Sequence, residues 1–128
     1  TEDKDCEWQS AAFGMVGLET ALSVVVKSMV ESRLLDWQGV VDRMSIAPAR
    51  IAGYANHGQN AAIGAPANLT IVDTSANWIV DRNTLASKSK NTPFAGMTLP
   101  SQVLHTFLNG ELVLKNSMIV KSANGGSN

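Results

Sequence analysis

Phe13-Gly14-Met15-Val16-Gly17-Leu18-Glu19-Thr20, running into Ala21-Leu22, is the stretch on which the fold turns. A loop holding one aromatic residue and two glycines passes directly into a long amphipathic segment. From Leu18 the apolar residues Leu18, Leu22, Val25, Val26 and Met29 fall at i, i+4, i+7, i+8 and i+11, the spacing of one helical face. Glu19, Ser23, Lys27 and Glu31 recur every four residues on another side, which reads as the solvated one. Gly14 and Gly17 stand before the helix, where a missing Cβ lets a ligand or a neighbouring strand come close. Spacing alone gives a loop followed by a helix with a core-facing stripe, and names no function.

Upstream, residues 1–10 carry Glu2, Asp3, Lys4, Asp5 and Glu7 and read as a solvated loop, with Trp8 the one residue expected to pack down. Cys6 sits in that loop with no histidine nearby to activate it, so an inert thiol is expected. Downstream, the first helix is expected to end near Ser32–Arg33, with Leu34 and Leu35 covering the turn. Asp36 is a good N-cap for a second helix whose Trp37, Val40, Val41 and Met44 form another apolar stripe. Ser45-Ile46-Ala47-Pro48 is expected to break it, since proline cannot continue a helix but suits the first turn of a new one, here ending at Gly53.

After residue 55 the pattern changes. Asn56-His57-Gly58-Gln59-Asn60 and Gly64-Ala65-Pro66 are turn chemistry. Leu69-Thr70-Ile71-Val72-Asp73 reads as a strand, Thr74-Ser75-Ala76-Asn77 as a polar break, and Trp78-Ile79-Val80 as a second strand. Residues 83–101 read as a long ordered loop. Val103 to Leu108 and Glu111 to Leu114 flank Asn109-Gly110, the preferred pair of a two-residue hairpin, and Asn116-Ser117 precedes a last strand, Met118-Ile119-Val120. The tail from Ala123 is expected to be disordered. Helices followed by strands, without alternation, argue for an α+β piece or two separate ones. Three helices in about 53 residues would struggle to bury their own stripes, so the chain reads as incomplete on its N-terminal side.

Composition bounds the function. The chain has 128 residues, 45% hydrophobic and 16% charged, with ten basic against eleven acidic side chains. A net charge of −1 offers nucleic acid or an anionic membrane no attractive surface. No stretch approaches the roughly 20 apolar residues of a membrane span. One cysteine allows no internal disulfide, which suits a reducing, cytoplasmic setting. His57 and His105 are the only histidines, 48 positions apart, and no metal-site spacing, nucleotide loop or nucleophile elbow is present. His57 reads as a turn residue and His105 as a packed or edge residue of a strand. On these grounds the chain has no self-sufficient active site.

The sequence resembles bacterial dihydroorotases, in the segment after their last metal ligand. The likeness runs in order through Phe13-Gly14-Met15-Val16-Gly17-Leu18-Glu19-Thr20-Ala21-Leu22, Met44-Ser45, Pro48-Ala49-Arg50-Ile51 and Gly64-Ala65-Pro66-Ala67-Asn68-Leu69-Thr70-Ile71-Val72-Asp73. It continues through Ser87-Lys88-Ser89-Lys90-Asn91-Thr92-Pro93-Phe94-Ala95-Gly96, Val103-Leu104-His105-Thr106 and Asn109-Gly110. The Ala67-Asn68-Leu69 strand and the hairpin are shared by many amidohydrolases. The Gly-Leu-Glu-Thr helix start and Asn91-Thr92-Pro93-Phe94 are more specific to dihydroorotase.

The resemblance implies an α/β protein: residues 1–55 as the end of a (β/α)8 amidohydrolase barrel, with its active-site loop and last helices, and residues 56–128 as accessory β-sandwich strands and tail. It implies a zinc-dependent cyclic amide hydrolase that interconverts N-carbamoyl-L-aspartate and (S)-dihydroorotate in pyrimidine synthesis. In that family the metal would lower the pKa of its bound hydroxide and polarise the ring carbonyl, and an aspartate would shuttle the proton. All of those ligands, including the aspartate of an Asp-His-Ala-Pro-His stretch, lie upstream of Thr1, so no zinc is expected on this chain alone and the fragment alone is expected to be inactive. One contact carries over: Phe13-Gly14 matches the Phe-Gly whose backbone lies against the substrate's pyrimidine ring. The implied partners are that substrate, the missing N-terminal part of the enzyme, and a homodimer partner or aspartate transcarbamoylase. Two alternatives remain open: an inactive dihydroorotase-like scaffold subunit of aspartate transcarbamoylase, and a related cyclic amidohydrolase such as allantoinase or dihydropyrimidinase.

Overall fold

A computed structural model describes residue 7, residues 9–11 and residues 14–120. The expectations for Cys6, Trp8, Phe13 and the tail from Ala123 fall outside the described residues, and of the acidic loop only Glu7, Gln9 and Ser10 are described, all exposed.

Helix α1 (Ala21–Val25) widens into a π-helical turn over Val26–Val30. It stops at Arg33, whose φ of 61° is left-handed. The Arg33 amide donates to the Val30 carbonyl and the Leu34 amide to the Met29 carbonyl, the crossed pair that closes a Schellman cap, with arginine in the position glycine usually takes. Helix α2 (Trp37–Val41) starts at Asp36, whose carboxylate accepts from the Gly39 amide at 2.8 Å, so the N-cap stands as read. The expected break at Pro48 does not occur. A π turn over Asp42–Ile46 leads straight into α3 (Ala47–Ala52), with the proline in the first turn of α3. Proline lacks the amide that would reach back four residues, and the widened turn before it is where the ladder is re-spaced. Gly53, at φ 73°, ends α3 as expected.

The strands form one antiparallel meander, β1 (Leu69–Ile79), β2 (Thr98–Leu108), β3 (Glu111–Lys115) and β4 (Met118–Ile119), in spatial order 1-2-3-4. Two strands read separately from the sequence are one. The polar break at 74–77 is a bulge inside β1, where the register with β2 jumps between Asp73–Gln102 and Asn77–Pro100. Asp73 makes the bulge possible: its carboxylate accepts from the Ser75 amide, the Ser75 hydroxyl and the Ala76 amide at 2.9, 2.7 and 3.1 Å. Donors the ladder loses there are satisfied locally. The long loop is also shorter than expected, because β2 begins at Thr98.

Both turns are left-handed pairs, Asn109-Gly110 at φ 51° and 85° and Asn116-Ser117 at 49° and 62°, as two-residue hairpins require. Asn68 anchors the first: its side chain accepts from the Asn109 amide at 2.8 Å and donates to the Asn56 carbonyl at 2.9 Å.

The tightest packing lies where α1 crosses β2. Thr20, Ser23 and Val26 are buried there, with Leu99 and Ser101 of β2 and Val80, Leu85 and Thr92 of the β1–β2 connection. The side of α1 expected to meet water therefore faces the sheet in part. Ser23 donates to the Ser101 carbonyl at 2.7 Å, and the Trp78 indole nitrogen donates to both Ser23 Oγ and that carbonyl at 3.1 Å. The expected core stripe is only partly buried: Val26 is in the core and Leu22 and Val25 are half-buried, while Leu18 is 96% exposed and Met29 40%. In α2 only Val40 of the four stripe residues is buried, and Trp37 is half-buried.

Candidate functional site

Of the two residues singled out for substrate contact, Phe13 is outside the described residues and Gly14 is exposed at the surface of the loop leading to α1. A Cβ built on Gly14 meets no atom of the described residues within 4 Å. Packing among the described residues does not require glycine there. What a side chain would intrude on is the space in front of the loop.

That loop is held from one side. The Asn91 amide group donates to the Gly14 carbonyl at 2.6 Å, and the Val16 amide donates to the Asn91 carbonyl at 2.9 Å. One turn further on, Glu19 accepts from the Ala86 amide at 2.9 Å and the Ser87 amide at 3.1 Å. Glu19 was read as part of a solvated face, and Asn91 as an ordinary loop residue. Both sit inside the two most family-specific motifs, and the structure joins those motifs to each other. Between the two attachment points lies a groove of about 400 Å³ lined by residues 16–20 and 85–87.

The histidines stand where the sequence placed them. His57 is an exposed turn residue, its ring tilted against Tyr54 at 5.8 Å and its amide donating to the Tyr54 carbonyl. His105 is a half-buried β2 residue whose Nδ1 accepts from the Asn116 amide at 3.4 Å. Among the described residues no three His, Cys, Asp or Glu side chains gather as a metal would need, so these residues do not make a zinc centre. Among the described residues Asp73 is the one group with a displaced titration. Hydrogen bonds from the Ser75 hydroxyl, and then from the Ser75 amide, hold its carboxyl below the ordinary value. It serves the bulge, not chemistry. Among the described residues no helix is long and apolar enough to cross a membrane.

The fold matches solved cyclic amidohydrolases. L-hydantoinase from Arthrobacter aurescens superposes on 88% of this chain with a TM-score of 0.77 and 28% identity, using 25% of its own length. D-hydantoinase from a Thermus species does so over 93% with a TM-score of 0.79; at 18% identity it shares the fold alone. No family model matches. The fold class is the one these hydantoinases show over the matched part.

Within that class the sequence is specific. It is 56% identical to dihydroorotase of Streptomyces coelicolor over 88% of this chain, and 49% identical to that of Mycobacterium leprae over the same share. It is 43% identical to that of Leifsonia xyli over 97%. The chain belongs with the dihydroorotases. It spans about a quarter of the length of these relatives, 26% to 28%.

Proposed function

We propose that this chain is the C-terminal part of a zinc-dependent dihydroorotase that interconverts N-carbamoyl-L-aspartate and (S)-dihydroorotate. The single observation that carries the reading is 56% identity to a dihydroorotase across 88% of the chain. In this reading residues 1–55 are the last helices and active-site loop of a (β/α)8 barrel, and residues 56–128 belong to an accessory β-sandwich. On the same reading the zinc ligands lie upstream of Thr1. The chain's own contribution is the backbone at Phe13-Gly14, a wall against the substrate ring, at the end of the barrel where this fold keeps its active sites. The exposed, sterically free Gly14 supports that role. A cytoplasmic enzyme, acting as a homodimer or with aspartate transcarbamoylase, completes the proposal.

The test is to express the complete polypeptide and offer it dihydroorotate, dihydrouracil, hydantoin and allantoin. Turnover confined to dihydroorotate, with metal bound, is the expected result. Turnover of dihydrouracil or allantoin instead would move the protein to the neighbouring amidohydrolases. A metal-free, inactive protein that co-purifies with aspartate transcarbamoylase would make it the scaffold subunit.

A further inference from the structure

We infer that Asn91 and Glu19 are positioning residues for the substrate: together they fasten the β1–β2 connection to the loop at residues 14–19 and so fix where the Gly14 backbone stands. The inference rests on the dihydroorotase reading of Phe13-Gly14. Among the described residues, the Gly14 carbonyl and the Val16 amide have one partner each, and both belong to Asn91, which lies 75 or more positions away in sequence. A glycine-bounded segment has little stiffness of its own. Its position is therefore set by whatever it is tied to.

What it is tied to is rigid. The connection at residues 81–97 is pinned to the sheet at both ends by the Gly96 amide on the Val80 carbonyl at 2.8 Å and the Val80 amide on the Met97 carbonyl at 3.0 Å. It is closed on itself by Lys90, which donates to the Leu85 carbonyl at 2.6 Å, and it buries Leu85 and Thr92. Glu19 adds a second attachment on two amides of the same connection, so the loop before α1 cannot slide or tip about a single point. A binding contact made through backbone is only as well placed as that backbone, and displacements of about 1 Å are enough to cost binding or rate heavily. Groups that only hold the substrate's binding wall should act on binding and not on the chemical step at the metal.

The experiment uses the complete enzyme with Asn91→Ala and, separately, Glu19→Ala. Each should raise KM for dihydroorotate by about tenfold, the scale of one lost hydrogen bond, with kcat within about threefold of the unmodified enzyme. Metal content should not change, and hydrogen exchange of residues 14–20 should quicken. Failure of the unmodified enzyme to turn over dihydroorotate would remove the functional reading itself. An active unmodified enzyme with unchanged KM in Asn91→Ala would overturn the positioning role alone, as would a loss of kcat and metal in step. Glu19→Ala guards against a variant that does not fold, because either substitution alone decides the question.

Discussion

Gly14 and Ser23 show how much a single residue carries here. At Gly14 a side chain meets none of the described residues, so Gly14→Val separates ligand from fold. In the complete enzyme it should raise KM for dihydroorotate by about tenfold or more while melting and metal content stay put. An unchanged KM would place Gly14 away from the substrate. Ser23 ties α1 to the sheet through the Ser101 carbonyl and the Trp78 indole, and those two partners also bond each other. Ser23→Ala therefore strands neither partner, and the loss should be about 1 kcal/mol by denaturant titration, with a value above about 3 pointing to a larger rearrangement. The sequence announced Gly14 through its motif but hid Ser23 and Glu19. Both are polar residues at four-residue spacing, a pattern that marks a solvated face unless the partners are carbonyls and amides of a strand and loop 67 or more residues away. Pattern reading weighs side-chain polarity; it has no view of distant backbone groups that need a partner.

Among the elements, those set by local chemistry were legible. Asp36, Gly53 and Asn109-Gly110 each name a cap or turn because the stabilising group lies within three residues. The bulge in β1 was not legible as such, since Thr74-Ser75-Ala76-Asn77 looks like a turn until β2 is alongside. Asp73 holds that bulge as a carboxylate, with its titration displaced downward. Its contribution is present above the unfolded value near 3.9 and is lost as pH falls through the lower folded value. Asp73→Asn should flatten the acid side of the stability curve below about pH 4. An unaltered curve would mean that the bulge stands without the charge. Gly58 fixes how the segment after α3 folds back. At φ 64°, a Cβ there would lie 2.8 to 2.9 Å from the Ser45 carbonyl oxygen, the Ile46 Cα and the Ala49 Cβ. Gly58→Ala combines left-handed strain with a clash against backbone, and should cost about 2–4 kcal/mol by urea unfolding. A cost below about 1 kcal/mol would show that this turn is free to move.

For the whole molecule the informative quantity is what stays uncovered. Only six hydrophobic side chains are buried among the described residues: Val26, Val40, Ala49, Val80, Leu85 and Leu99. Met15, Leu18, Leu34, Ile51 and Tyr54, all from the helical half, are at least 66% exposed. Isolated apolar residues on a surface need no explanation, but a helix that buries a serine while both ends of its apolar stripe, Leu18 and Met29, stay exposed does. The apolar periodicity of α1 reads as a core-facing stripe, and within this chain only Val26 of it is buried. The sheet takes the polar side through Ser23, and in the proposed dihydroorotase Leu18 and Met29 would meet the rest of the barrel. Leu18 tests this directly. In the present chain Leu18→Ala removes side-chain atoms that already face solvent, so stability should change by less than about 0.5 kcal/mol. In the complete enzyme the same substitution should open a cavity against the barrel and cost about 3 kcal/mol. A negligible cost in both would leave that face of α1 uncovered, and the barrel-helix reading would lose its structural support.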